Sequence, residues 1–141
     1  GQVGNEHMRL YLVYTEGNCI EAGDETPFFQ IGETQYGKPI LDRVITPDTP
    51  LDEAIKCVLV SFDSTMRSNL SVGLPIDLVC CGASSLRLDF AQHITADDPY
   101  FSQLSKHWSE GLRNVFASLP TPDWLKDVPA VEALLPSPAP E

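Results

Sequence analysis

The sequence predicts an α+β domain, with an antiparallel sheet carrying helices on one face and forming part of a four-layer α-β-β-α sandwich. Three observations predict it. Residues 27–79 run in the order strand, glycine-polar turn, short helix, long helix, glycine stop and strand. Within them, Leu51, Ala54, Ile55, Val58, Leu59, Phe62, Met66 and Leu70 trace one helical face. Finally, the strands are apolar on both alternating faces, in the run Leu10, Tyr11, Leu12, Val13, Tyr14 and again where Ile76, Leu78 and Cys80 alternate with Val79 and Cys81. Such strands need cover on both sides. The helices supply one cover, and this chain has too few further strands to supply the other. A second sheet is therefore expected from a half that the chain lacks.

Each element has its own signals. Residues 9–15 (RLYLVYT) read as a strand, and Glu16-Gly17-Asn18 as the turn into a short return strand ending at Ala22. Residues 23–27 form a polar loop, and residues 28–32 another short strand. A helix then opens at Gly32 and Thr34, with Thr34 as its cap and Pro39 in its first turn, and runs to about Ile45. The long helix starts on Thr49 as N-cap and Pro50 at the first helical position, with Asp52 and Glu53 in the electropositive first turn. Gly73 and Pro75 stop it. Residues 76–81 form a strand, residues 82–85 a turn, and residues 86–91 the partner strand. Asp97 or Asp98 caps a last helix over residues 99–118, with Phe101, Leu104, Trp108, Leu112, Val115 and Phe116 facing inward. The domain thus covers residues 1–119. Residues 120–141 hold six prolines and are expected to be extended or disordered, anchored locally by Trp124 and Leu125.

Composition narrows the function classes. The net charge of −11, from 9 Lys and Arg against 20 Asp and Glu, disfavours nucleic acid and anionic lipid as partners, because both repel an acidic surface. No apolar run approaches the roughly 18 residues of a membrane span. No basic, apolar and small-residue succession marks a signal peptide, so the expected compartment is the cytoplasm. Cys57, Cys80 and Cys81 lie in apolar periodic segments, which favours buried reduced thiols over disulfides. His7, His93 and His107 show no metal-ligand spacing, so no metal and no cofactor is expected. Cys80 and Cys81 point to opposite faces of one strand, which argues against joint ligation. Neither a nucleophile elbow nor a Cys/His pairing is present.

Two segments carry a resemblance. The run YGKPILDRVIT beside TMRSNLSVGLPIDLV, preceded by the turn Ile31-Gly32-Glu33-Thr34-Gln35-Tyr36, resembles the C-terminal half of a proteasome-type β subunit, an N-terminal-nucleophile hydrolase, nearest to its bacterial Anbu branch. The likeness covers roughly residues 9–118. It implies a threonine-type peptidase whose nucleophile and tuning lysine and aspartate lie in the other half, so this chain holds no catalytic residue and is inactive alone. It also implies support residues. In the family the turn carries a serine beside the nucleophile's amino group, and the helix end carries an aspartate followed three residues later by a serine. Glu33 stands at the turn position, Ser68 at the aspartate position and Ser71 at the second serine. The change from aspartate to Ser68 removes a charge, which Glu33 would restore from the turn. The implied partners are the missing N-terminal half, identical subunits in a ring-like stack, and peptide substrates of the whole protein. The other class open to such a fold is a non-catalytic oligomeric scaffold.

Overall fold

A short hairpin comes first. β1 (Tyr11–Val13) pairs antiparallel with β2 (Cys19–Glu21), with Leu12 opposite Ile20. The turn expected at Glu16-Gly17-Asn18 joins them: Gly17 takes a positive φ of 89°, and the Tyr14 N–H donates to the Asn18 carbonyl at 2.9 Å. Arg9 reaches Glu21 across the hairpin at 3.6 Å. The computed structural model describes residues 1–83, 85 and 87–125, and the chain divides into two units, residues 1–108 and 109–141.

Residues 28–32 form no strand, contrary to the sequence expectation. A strand requires a ladder partner, and none lies beside this segment among the described residues. Helix α1 (Lys38–Val44) begins on Gly37 rather than on Thr34. Pro39 dictates this: lacking an N–H, it is compatible only with the first turn, so a start at Thr34 would place it too deep.

Helix α2 (Leu51–Ser68) keeps Asp52 and Glu53 in its first turn, as expected, but its N-cap is Pro50. Thr49 does not cap it. The Thr49 hydroxyl instead accepts from the Thr46 N–H at 2.8 Å and donates to the Val44 carbonyl at 3.3 Å, closing the link between the two helices. Its hydrogen-bonding capacity is spent on the turn before the helix. The far end also differs. Asn69 is extended (φ −133°, ψ 109°), so α2 ends at Ser68, ahead of both Gly73 and Pro75, and Leu70 leaves the helical face for solvent.

α2 is buried on two sides. Leu59 packs with Ile76, Ile94 and Phe101, and Ile55, Met66, Leu74 and Leu104 lie against that cluster. On another side, Cys57, Ser61 and Thr65 succeed one another at four-residue spacing and are all buried. That stripe faces α1: the Cys57 thiol lies 4.0 Å from the Ile40 carbonyl, and Gly37 sits against Ser61 and Thr65. Small side chains here let the two helices approach closely. The Thr65 hydroxyl is satisfied by the Ser61 carbonyl at 2.8 Å, as a buried polar group must be. Asp63, also buried, pairs with Arg67 at 3.2 Å, and Arg67 reaches Ser105 at 3.0 Å.

β3 (Ile76–Cys81) pairs antiparallel with β4 (Leu88–Ile94), with Ile76 opposite Ile94 and a register shift between Cys80 and Cys81. One face begins at the buried Ile76–Ile94 pair and continues through Leu78 and Cys80. The other carries Asp77, Val79 and Cys81, all exposed. Cys57 is therefore buried as expected, Cys80 half-buried, and Cys81 exposed, a correction for the last. Exposure there follows from alternation, because the helices cover only one face.

Helix α3 (Pro99–Ser118) matches its expected span. Asp98 is its cap, accepting the Phe101 N–H at 2.8 Å. In the first unit Phe101 is buried and Leu104 and Trp108 are half-buried. In the second unit Leu112, Val115 and Phe116 are exposed rather than inward. A single 3₁₀ turn at Asp123–Leu125 follows, with Trp124 exposed. The expected tail beyond it, residues 126–141, lies outside the described residues. The class is therefore α+β, with two two-stranded antiparallel sheets and three α-helices among the described residues.

Candidate functional site

The end of α2 and the turn before α1 meet through side chains. Gly32 adopts a positive φ of 78°, which reverses the chain after Ile31 and aims Glu33 back toward α2. Glu33 is held at three points. Its Oε1 accepts the Gln35 N–H at 2.7 Å, its carbonyl accepts from Gln30 Nε2 at 2.7 Å, and its Oε2 accepts from Asn69 Nδ2 at 2.8 Å. Asn69 in turn accepts twice at Oδ1, from the Ser71 N–H at 2.9 Å and from the Ser71 hydroxyl at 2.6 Å.

The local sequence explains this geometry. Asparagine competes with helical hydrogen bonding through its own side chain and readily bonds the backbone two residues on. At Asn69 that competition ends α2 and folds residues 69–71 into an Asx turn, which fixes Ser71. Glu33 and Ser71 are thus brought into one network. Ser68 is not part of it; it is exposed on the last turn of α2. The linking residue, Asn69, was not among the expected site residues. Its signal was present in the sequence as an Asn-x-Ser run at the end of an apolar helical stripe.

The electrostatics are one-sided. Glu33 is half-buried, and its described partners are neutral N–H donors. The ion pairs found among the described residues are Arg9–Glu21, Lys38–Asp42, Arg67–Asp63 and His93–Asp77, none of which involves it. Glu33 also borders a cavity of about 470 Å³ whose walls are mostly apolar, formed by Phe28, Phe29 and Ile31 on one side and Leu41, Ile45 and Val58 on the other. Gln30 lines the same cavity, and its Oε1 is buried without a hydrogen-bond partner. The arrangement presents a negative charge at the edge of an apolar hollow, with the Ser71 hydroxyl joined to it through Asn69. It suits a hydrogen-bond donor or a cation.

Other chemistry-bearing groups are dispersed. Among the described residues no three His, Cys, Asp or Glu side chains gather as metal ligands would. His93 pairs with Asp77 at 2.6 Å on the open face of the β3–β4 sheet. Burial pushes the Cys57 thiol up from its ordinary range, and that residue lies on the α1-facing side of α2. No helix among the described residues is long and apolar enough to cross a membrane.

Comparison with solved structures adds a family context. The chain is similar to Anbu, the ancestral beta-subunit, from Yersinia bercovieri, at 52% identity and a TM-score of 0.82 over 86% of this chain and 52% of that one. Anbu from Hyphomicrobium sp. strain MC1 matches at 54% identity and a TM-score of 0.83, again over 86% and 52%. The helical assembly of the Anbu complex from Pseudomonas aeruginosa matches at 50% identity and 0.81, over 86% and 50%. The chain therefore spans about half the length of the structures it matches. No family model and no curated protein matches it. The resemblance read from residues 31–36 and 65–79 holds over most of the chain.

Proposed function

We propose that this chain, an Anbu-like stretch of a proteasome-type β subunit, is that subunit's C-terminal half and serves as the supporting half of a threonine-type peptidase site. One observation carries the reading: identity of 50–54% over 86% of this chain is joined by a network that links Glu33 to Ser71, two of the three positions the resemblance marks. In such a site a threonine hydroxyl attacks the peptide carbonyl while its own α-amino group takes the proton, and water then releases the acyl group. The residues of this chain would not touch the carbonyl. Glu33 would supply the negative charge that Ser68 lacks, and Ser71 an oxygen toward the amino group. Ser68 is left with a structural place at the end of α2.

The test is reconstitution. The chain would be co-expressed with an Anbu N-terminal half carrying the threonine, and turnover of a fluorogenic peptide followed. Activity is expected only from the pair, with Ser71→Ala and Glu33→Gln each lowering it about tenfold, the equivalent of one strong hydrogen bond. Turnover by this chain alone, or rates unmoved by both variants, would overturn the reading.

A scaffold role is the second reading, and the open face of the β3–β4 sheet favours it. Val79 and Leu88 are 55% and 63% exposed there, which suits burial against another segment or another subunit. A reconstituted pair that assembles yet turns over no peptide would select this reading.

A further inference from the structure

The Glu33–Asn69–Ser71 network has a direction that the atoms themselves fix. A carboxylate only accepts, so Asn69 must turn its amide NH₂ toward Glu33 Oε2. Its carbonyl oxygen then faces the other way, where it receives both the N–H and the hydroxyl proton of Ser71. With that proton committed, the Ser71 oxygen has only lone pairs to offer. Without Asn69 the hydroxyl would rotate freely and could donate or accept.

An Asx turn alone does not require this. Such a turn uses only the asparagine oxygen, whereas the Nδ2 contact joins residues 36 apart in the chain. The added bond has one consequence for chemistry. It makes a carboxylate without a cationic partner among the described residues decide the polarity of a hydroxyl on another element.

We propose that Asn69 is the positioning residue of this site, holding Ser71 as a pure hydrogen-bond acceptor in the same network as the Glu33 carboxylate, so that the site takes a protonated amine and rejects acceptor-only groups. The inference rests on the reading that Glu33 and Ser71 serve one site. It adds the residue that sets their polarity.

The 141-residue chain can be tested directly with benzylammonium as donor probe and acetophenone as acceptor-only probe, following the Ser71 amide and Asn69 side-chain resonances. Benzylammonium is expected to bind saturably and acetophenone more weakly. Glu33→Gln and Ser71→Ala should each weaken benzylammonium about fivefold, as loss of a hydrogen bond or charge contact would. Asn69→Ala should lower the ratio of benzylammonium to acetophenone affinity by a similar factor, because the freed hydroxyl can then donate. Asn69→Gly, which suits a turn and carries no side-chain acceptor, should do the same if Asn69→Ala does not fold. A merely structural Asn69 would weaken both probes alike and leave the ratio unchanged, which overturns the inference while the site reading survives. Failure of benzylammonium to bind, or binding insensitive to Glu33 and Ser71, overturns both.

Discussion

The two faces of the β3–β4 sheet both carry apolar residues and end in different states. On one face Ile76 and Ile94 are 6% and 4% exposed, packed with Leu59 of α2 and Phe101 of α3. On the other, Val79 and Leu88 are more than half exposed, flanked by the Asp77–His93 pair. Apolar residues occur on both faces, and cover separates them at one end: Leu59 of α2 and Phe101 of α3 pack on the Ile76–Ile94 pair. Farther along that same face Phe90, opposite Cys80, is 47% exposed, so the cover does not reach the far end of the sheet. An apolar face left open favours burial against a partner.

The contrast is broken most directly on the covered side. Leu59 is the largest fully buried side chain, at 2% exposure. Leu59→Ala should cost about 3 kcal/mol in a denaturant titration, combining lost transfer energy with a cavity that rigid neighbours fill poorly. A cost near zero would mean that this cluster does not carry the fold.

Close packing between α1 and α2 comes next. A Cβ on Gly37 would fall 2.7 Å from Thr65 Oγ1 and 2.8 Å from the Ser61 carbonyl oxygen, in addition to meeting Ser61 Oγ. The carbonyl belongs to the helix backbone and cannot swing away. Gly37→Ala should therefore destabilise by about 2 kcal/mol through overpacking. An unchanged midpoint would show that α1 stands farther from α2 than the stripe of Cys57, Ser61 and Thr65 indicates.

The open face should respond in the opposite sense. Val79→Thr with Leu88→Ser should shift the unfolding midpoint of the monomer by no more than about 0.5 kcal/mol per site, as surface changes do. The same pair should reduce self-association seen by light scattering at micromolar concentration, since covering apolar area at about 25 cal/mol per Å² favours association. A wild-type chain that stays monomeric and binds no hydrophobic dye would mean the face is already covered, and the contrast would disappear.

Much of this was legible in the residues. The span of α3 and the choice of an aspartate cap were readable because Asp98 and Pro99 signal locally, and a local signal survives any tertiary arrangement. Thr49 shows the limit of such signals. Its hydroxyl had two uses within reach, and the turn from Val44 to Thr46 claimed it. The second buried side of α2 was invisible to an apolar stripe search because Ser61 and Thr65 are polar, and they are buried for their size. Residues 28–32 failed as a strand because a strand depends on a partner that sequence periodicity does not reveal. In the candidate site, Glu33 and Ser71 came from resemblance; the Asn-x-Ser run signalled a turn at Asn69, but its bond to Glu33 emerged only once the turn and the helix end were placed together.

The smallest effect is also the one that reads the two faces residue by residue. Cys80 and Cys81 are neighbours on β3, the first half-buried on the helix side and the second exposed on the open side. Cys57 is buried in α2, and desolvation raises its pKa, which holds it as the unreactive thiol. Alkylation of the folded chain should therefore proceed fastest at Cys19 and Cys81, slower at Cys80 and last at Cys57. The raised Cys57 value also ties the thiol to stability with a definite sign. The folded chain favours the neutral form, so its contribution is complete below the thiol pKa of the unfolded chain and is lost as pH rises through the folded value. Alkaline solution should lower the unfolding midpoint slightly, and Cys57→Ser should remove that slope. Concentration supplies the final discriminator. If Cys81 is protected at high concentration and labelled quickly on dilution while Cys57 is unaffected, the open face is covered by association; equal protection at all concentrations would place a cover within the chain itself.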